Sequence, residues 1–416
     1  MPQRPVSIII PVHNKWPLTA ACLRSLHEHA PERPCEVIVV DNASTDATGK
    51  ELSALGQELF SGNFTRIRNE TNKNFSGACN QGARAARHGV LFFLNNDTLL
   101  TPAWDAPLFA AMENDATLGA VGPLLLFEND TVQHLGITVQ PDRSLRHLYA
   151  GIPGAHPLAR KRRPLSFITA AALLIRKNTF FDAGAFYEGY VNGLEDVELC
   201  YRLRQAGYAV SVIPESVVYH FDGQTRREIT GAPKNAPILS RRCPDLRRPE
   251  YHHTVLADGY TPFLGPFFET LLQPAPERLQ TYAPLLAAPE AGRISEILDK
   301  EIYLQDGYVA LARLQQAAGD AENAFATMTR CVRFHPTMAV METLRDMAEK
   351  AGHTEAAREC GATLADAREK LKDSRFFQSR LDATLEIATA LEDKELERLA
   401  KAWRKQYGRQ LLSRSG

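Results

Sequence analysis

The sequence predicts an α/β fold, a mainly parallel sheet flanked by helices, followed by an α-helical C-terminal domain. Three observations predict it. Short β-branched runs alternate with helical stretches through the first half, and those runs empty into Asp and Asn. Beyond residue 290 the chain turns rich in Ala, Glu, Lys, Arg and Leu with helical periodicity.

The strand candidates are "VSIIIPV" (6–12), "CEVIVVDNAS" (35–44), "TRIRNE" (65–70) and "VLFFLNND" (90–97), the last apolar enough to be buried on both faces. Between them "LTAACLRSLHEHA" (18–30) and "SGACNQGARAARHG" (76–89) have helical spacing, with Ser76 placed to cap the second. Farther on, Val197, Leu199, Cys200, Leu203 and Ala206 form the apolar face of a helix that Gly207 ends, which puts Glu195 and Asp196 in its first turn. "VIPESVVYHFDGQT" (212–225) is another apolar strand, ending in His220.

Residues 231–290 hold ten of the 25 prolines and the basic pairs Arg241/Arg242 and Arg247/Arg248, which predicts an irregular connection. Within it, "PFLGPFFETLL" (262–272) is apolar enough to pack on the first domain. The expected division is therefore 1–230, 231–290 and 291–416. In the last part "LARLQQAAGDAENAFATMTR" (311–330) lies over "LRDMAEKAGHTEAARECGAT" (344–363) at an offset of 33, which suits helix-pair repeats of the tetratricopeptide kind. A plain helical bundle is the competing reading.

Charge narrows the function. Lys and Arg number 48 against 49 Asp and Glu, a balance that argues against a nucleic-acid binder. The seven cysteines are scattered and never spaced Cys-x-x-Cys, which disfavours a disulfide framework or zinc site and suits a reducing cytoplasm. Val6–Val12 falls well short of the roughly 20 residues that span a bilayer, so any membrane contact would be peripheral, at its inner face.

In a doubly wound sheet ligands sit beyond the carboxyl ends of the strands. The second strand delivers Asp41, Asn42, Ser44 and Asp46 there, acceptors suited to a nucleobase or ribose and equally to a plain turn. Asn74, Gly77, Asn80 and Gly82 line a strand-to-helix junction where free N–H groups would favour a phosphate. Asn95, Asn96 and Asp97 end the fourth strand, and one carboxylate together with diphosphate oxygens is the usual way to hold Mg2+ or Mn2+. Glu195 and Asp196, at a helix N-terminus, are stabilised as anions able to accept a proton.

Together, "SIIIPVHN", "VIVVDNASTD", "NFSGACNQG", "FLNNDT", "GLEDVELCYRL" and "VVYHFDGQT" resemble family 2 glycosyltransferases of the nucleotide-diphospho-sugar type, in family order over residues 5–225. The resemblance implies the GT-A fold, an inverting transfer of a sugar from a nucleotide donor, and a divalent cation. It implies Asp41 at the base or ribose, Asn74 and Asn80 near the donor, Asp97 and His220 on the metal, and Asp196 as base with Glu195 as the fallback. Asn95 departs from the family's first metal-motif Asp and leaves one charge fewer. The Gln-x-x-Arg-Trp signature of processive synthases is absent, so a single addition is expected.

The basic clusters "ARKRRP" (159–164) and "QTRRE" (224–228) flank this core; Arg226 or Arg227 of the second could reach the diphosphate or an anionic acceptor, and the competing reading of such a charge run is a solvated face. The acceptor is left as a glycan, a lipid-linked glycan or a protein. The C-terminal helices are left with acceptor recognition, a protein or membrane surface, or a second copy of the chain. Two other functions compete: a sugar nucleotidyltransferase, which would want a Gly-rich basic loop where "PVHNKWP" stands, and a helical-repeat scaffold that only binds nucleotide.

Overall fold

A computed structural model describes residues 4–221, 232–246 and 248–412. It divides into two compact units, Met1–Thr138 with Arg146–Leu246, and Val139–Leu145 with Arg247–Gly416.

In the first unit, strands β1 (Val6–Val12), β2 (Cys35–Asp41), β3 (Phe64–Arg68) and β4 (Val90–Leu94) alternate with helices α1 (Trp16–Glu28), α2 (Thr48–Phe60) and α3 (Asn74–Ala85). There follow β5 (Thr98–Leu100), α4 (Asp105–Asn114), β6 (Leu118–Leu126) and β7 (Val132–His134). A small hairpin of β8 (Ile137–Val139) and β9 (Leu145–His147) comes next, then β10 (Ala172–Arg176), α5 (Lys177–Asp182), α6 (Glu195–Gln205), β11 (Ala209–His220) and α7 (Ala232–Arg242).

The main sheet runs β3-β2-β1-β4-β10-β6-β11-β5, with β7 on β6. β3, β2, β1 and β4 are parallel neighbours, as are β6 and β11, while β10, β5 and β7 pair antiparallel. The expected α/β architecture, mainly parallel with flanking helices, is therefore present.

Strand order reverses at β1, which lies between β2 and β4, the place in an open α/β sheet beyond whose carboxyl ends ligands are expected. The strands can sit centrally because they are apolar on both faces: Ile8, Ile9, Ile10, Phe92, Phe93 and Leu94 have no exposed surface. Each such side chain contributes about 1.5–3 kcal/mol of burial free energy, which makes this end of the sheet a rigid base for polar loops.

Two local expectations are corrected. Helix α3 begins at Asn74, with Lys73 in the cap position, so Ser76 lies inside the first turn, buried and without a hydrogen-bond partner, and does not cap it. The Asn72 side chain takes the Asn74 N–H instead, at 2.8 Å. In α6, Val197, Leu199, Cys200 and Leu203 are buried as expected but Ala206 is exposed, because the helix stops at Gln205 before a left-handed Gly207.

The second unit contains α8 (Tyr251–Ala257), the hairpin β12 (Tyr260–Leu264) and β13 (Thr270–Pro274), and helices α9 (Pro276–Ala287), α10 (Ala291–Leu298), α11 (Gln305–Ala317), α12 (Ala321–Phe334), α13 (Met338–Ala351), α14 (Thr354–Lys370), α15 (Ser374–Ala390) and α16 (Lys394–Leu411). The proline-rich stretch is thus more regular than expected. Pro262 falls in a two-stranded hairpin, where a missing N–H is tolerated, and Pro276 opens a helix.

Apolar residues 262–272 pack among the C-terminal helices: Leu264 and Phe268 cluster with Phe377, Leu381, Leu399 and Trp403, and the Trp403 indole N–H donates to Gly265 O at 2.9 Å. The 33-residue offset is visible in the helix starts, Gln305 to Met338 and Ala321 to Thr354. It then drifts to 36 (Met338 to Ser374) and 40 (Thr354 to Lys394). Side chains of Asp320, Thr337, Asp373 and Asp393 cap the helices that follow them, which explains the crisp breaks. Among the described residues no helix is long and apolar enough to cross a membrane.

Candidate active site

Asp97 and His220 are brought together by strand register. β5 and β11 pair antiparallel with His220 opposite Thr98, and Phe221 N–H donates to Asp97 O at 2.8 Å. The side chains follow, with His220 Nε2 3.1 Å from Asp97 Oδ1.

The ring's protonation pattern can be read from Gln133. Its amide N–H donates to His220 O at 2.9 Å, so its Oε1, 2.6 Å from His220 Nδ1, can only accept. Nδ1 therefore carries a proton, and the Asn95 amide, 3.2 Å from Nε2, supplies an N–H to the lone pair there. The 3.1 Å approach to Asp97 is consequently acceptor against acceptor, and Asp97 Oδ1 is buried with no hydrogen-bond partner. An oxygen and an imidazole nitrogen facing each other in this way fit a divalent cation.

Gln133 escaped the sequence reading. It is the extra residue of a β-bulge, since Leu125 pairs with His134 and Leu126 with Val132. A bulge re-aims a side chain without any mark in the periodicity.

Asp196 stands at the start of α6, where its Oδ1 accepts Val197 N–H at 2.8 Å and its Oδ2 accepts Ala170 N–H at 3.2 Å. The neighbouring Ala171 O accepts Asn95 N–H at 2.8 Å, and His134 Nε2 accepts Thr169 N–H at 3.2 Å. Residues 169–171 thus tie the acidic helix to the end of β4. Burial, reinforced by His147 and His220, holds the His134 imidazole well below its ordinary range, so it stays neutral as an acceptor. Arg202 and Arg242 both reach the buried Glu198 one turn on, which anchors the helix.

Glu195 differs from its neighbour. It is 5% exposed, its Oε2 accepts Gly193 N–H at 2.6 Å, and burial followed by the Asp196 charge pushes its carboxyl up to about 8. The loop before it, with Asn192, Gly193 and Leu194 at positive φ, is held by buried Asn235 of α7, which bonds Val191 N–H and the carbonyls of Val191 and Gly193. Asn192 Oδ1 accepts Phe75 N–H at 2.8 Å and joins this loop to α3.

The remaining predicted residues mostly build loops. Asp41 is fully buried, with Oδ2 accepting from Arg66 and Arg68 and Oδ1 from Ser44 N–H. Burial alone would push its carboxyl up, but the Ser44, Arg66 and Arg68 hydrogen bonds outweigh it and hold it below the usual range. Asn42 bonds Asn69, Asn72, Lys73 and Asn74 and shapes the 69–74 loop. Ser44 Oγ accepts Asn14 N–H, and Asp46 accepts the N–H groups of Trp16 and Thr48, at the starts of α1 and α2.

Asn80 is buried against Phe186 N and O and the Glu188 carboxylate. Gly77, in the first turn of α3, leaves room where a Cβ would sit 2.8 Å from Lys73 Cβ. Asn96 donates to Thr19 Oγ1 at 2.8 Å. Asn74 has a left-handed backbone (φ 56°), and its side-chain amide makes no hydrogen bond among the described residues. Of the basic cluster, Arg160 and Arg163 donate to backbone carbonyls and Arg162 pairs with Glu215, whereas Arg226 and Arg227 lie outside the described residues.

This geometry surrounds a segment that can be placed among known proteins. Residues 7–177 match the model described as glycosyl transferase family 2. That segment belongs to glycosyl transferase family 2. The family 2 segment takes in Asp41, Asp97, Gln133 and Ala170, while Asp196 and His220 follow it.

Among curated relatives, the O-antigen biosynthesis protein RfbC of Myxococcus xanthus is 28% identical over 69% of this chain and 21% of its own. The N-acetylglucosaminyl-diphospho-decaprenol L-rhamnosyltransferase of Mycobacterium tuberculosis is 26% identical over 46% of this chain and 68% of its own. The chain thus spans about a fifth of RfbC. A crystal structure of GalNAc-T7 with UDP, GalNAc and Mn2+ superposes with a TM-score of 0.45 at 20% identity, over 52% of this chain and 44% of that one.

Proposed function

We propose that this protein is an inverting, metal-dependent glycosyltransferase that moves a sugar from a nucleotide-diphosphate donor to a hydroxyl group. One observation carries the reading: residues 169–171 tie the acidic helix of Asp196 to Asn95 at the end of β4, two residues before the Asp97 that faces His220, inside and beside a family 2 segment.

The chemistry asks for both groups. A sugar hydroxyl is a weak nucleophile, and the departing nucleoside diphosphate gains negative charge. Asp196 takes the hydroxyl proton as the new C–O bond forms, on the face opposite the breaking bond to the diphosphate, so the anomeric centre inverts. Such a base typically contributes about 10²- to 10⁴-fold in rate. Asp97 and His220 hold Mn2+ or Mg2+, which when bound neutralises diphosphate charge. Asn95 adds an amide in place of a second carboxylate.

Asp41 acts on the donor indirectly, by fixing Arg66 and Arg68. Asn42, Ser44, Asp46 and Asn80 keep the walls in shape, Gly77 admits close approach at α3, and Asn74 and Asn96 border the donor. The names of RfbC and the rhamnosyltransferase support a surface-glycan or lipid-linked acceptor. The helical second unit is assigned to acceptor or partner recognition, in the manner of helix-pair repeats.

A thermal-shift screen of nucleotide sugars with and without Mn2+, followed by assay of nucleoside diphosphate release, tests this. One donor should raise the melting point only with the metal and be turned over. Failure of every donor to bind or turn over would remove the reading.

A further inference from the structure

In the second unit, two histidines of α8 and one carboxylate meet at a point that the transfer chemistry does not use. Asp393 Oδ2 lies 2.8 Å from His252 Nε2 and 2.9 Å from His253 Nε2, and the two rings lie 4.1 Å apart. All three atoms fall within 4.8 Å of one another. We propose that His252, His253 and Asp393 bind a transition-metal ion of the zinc class, which braces α8 to the turn before α16.

The separations are close to that role. Ligands bonded at about 2.0–2.1 Å in the tetrahedral geometry that Zn2+ prefers stand about 3.3–3.4 Å apart, so the 2.8 and 2.9 Å approaches need to open by only about half an ångström to admit the ion. Two imidazoles and one carboxylate favour Zn2+, Ni2+ or Co2+ over Mg2+ or Ca2+, which prefer all-oxygen shells.

The ligands are also held in place. His252 is fully buried, and its other ring nitrogen, Nδ1, meets no partner, so the ring is oriented through Nε2 alone. Asp393 Oδ1 is tied as the cap of α16, accepting Leu396 N–H at 2.9 Å, and Glu392 before it turns through a positive φ of 53°. Oδ2 is left to face the histidines.

Among the described residues no Lys or Arg pairs with Asp393, since nearby Arg398 pairs with Glu395. A cation would therefore meet no competing positive partner. His253, with 57% of its side chain exposed, opens the site to solvent and leaves positions for water. Adjacent helical residues ordinarily point about 100° apart, so two neighbouring rings converging on one oxygen is itself an unusual arrangement.

The test uses the full chain carrying Asp97→Asn, which removes the other candidate cation pair from the signal, and titrates Zn2+, Co2+ and Mg2+. One equivalent of Zn2+ should bind and raise the melting point, Co2+ should give a visible ligand-field band, and Mg2+ should do neither. His253→Ala, at an exposed position, should leave the metal-free melting point unchanged and weaken Zn2+ at least fivefold. Asp393→Asn, which keeps an oxygen for the cap, should weaken it likewise. No Zn2+ binding in the parent, or a loss smaller than fivefold in His253→Ala, would overturn the proposal. This site does not depend on the glycosyltransferase reading.

Discussion

His220 turns a lone pair toward Asp97 Oδ1 across 3.1 Å because Gln133 holds the proton on the far side of the ring. Outer-shell partners of this kind typically change metal affinity about 10- to 100-fold. Gln133→Leu should therefore weaken Mn2+ by that order, and it should also lower the melting point of the metal-free protein by several degrees, because His220 loses two buried hydrogen bonds. A Mn2+ titration by calorimetry measures it, and an unchanged affinity would remove Gln133 from the site.

Asn95→Asp restores a second carboxylate beside Asp97. Mn2+ affinity should rise on the order of tenfold, since an added charge near the ion outweighs the lost amide contact. The metal-free variant should melt lower than the parent through carboxylate repulsion, so the gap between metal-free and metal-bound melting points should widen.

Asp196→Asn keeps the size of the side chain and removes its basicity. We expect kcat to fall by about 10²- to 10⁴-fold with little change in donor affinity, read from steady-state transfer beside donor binding. Equal turnover would move the base elsewhere.

Glu195 gives a pH signature. Its folded carboxyl titrates at about 8 against an ordinary 4.5, so the protonated form is favoured by folding. That stability is full below about pH 4.5 and is lost as pH rises through about 8. Glu195→Gln, still able to accept Gly193 N–H, should melt higher than wild type at pH 8.5 and match it below about pH 4.5. Parallel melting curves at all pH values would contradict the burial argument.

Asn235→Ala leaves the Val191 N–H without its partner and the loop before Glu195 without its clamp. Loss of a buried hydrogen-bonding group costs about 1–3 kcal/mol, so the melting point should drop by several degrees, and kcat should fall more than donor affinity as the acidic helix loses its fixed approach.

The chain itself encodes much of this. Apolar runs such as Val90–Leu94 dictate strands because burial on both faces leaves no other use for them, and their polar ends mark where Asp41 and Asp97 emerge. The 33-residue echo announces two of the helix pairs for the same reason: a repeated apolar face must be covered by a repeated neighbour. Tertiary structure alone decided the rest. Asp97 meets His220 through the antiparallel register of β5 on β11, and Gln133 reaches them through a bulge. Asp41 is saturated by arginines from the neighbouring strand, and two histidines face Asp393 from another helix. Such contacts join residues tens to more than a hundred positions apart. Periodicity reports which face of an element is buried, whereas pairing register and the aim of a polar side chain are settled only when the elements pack.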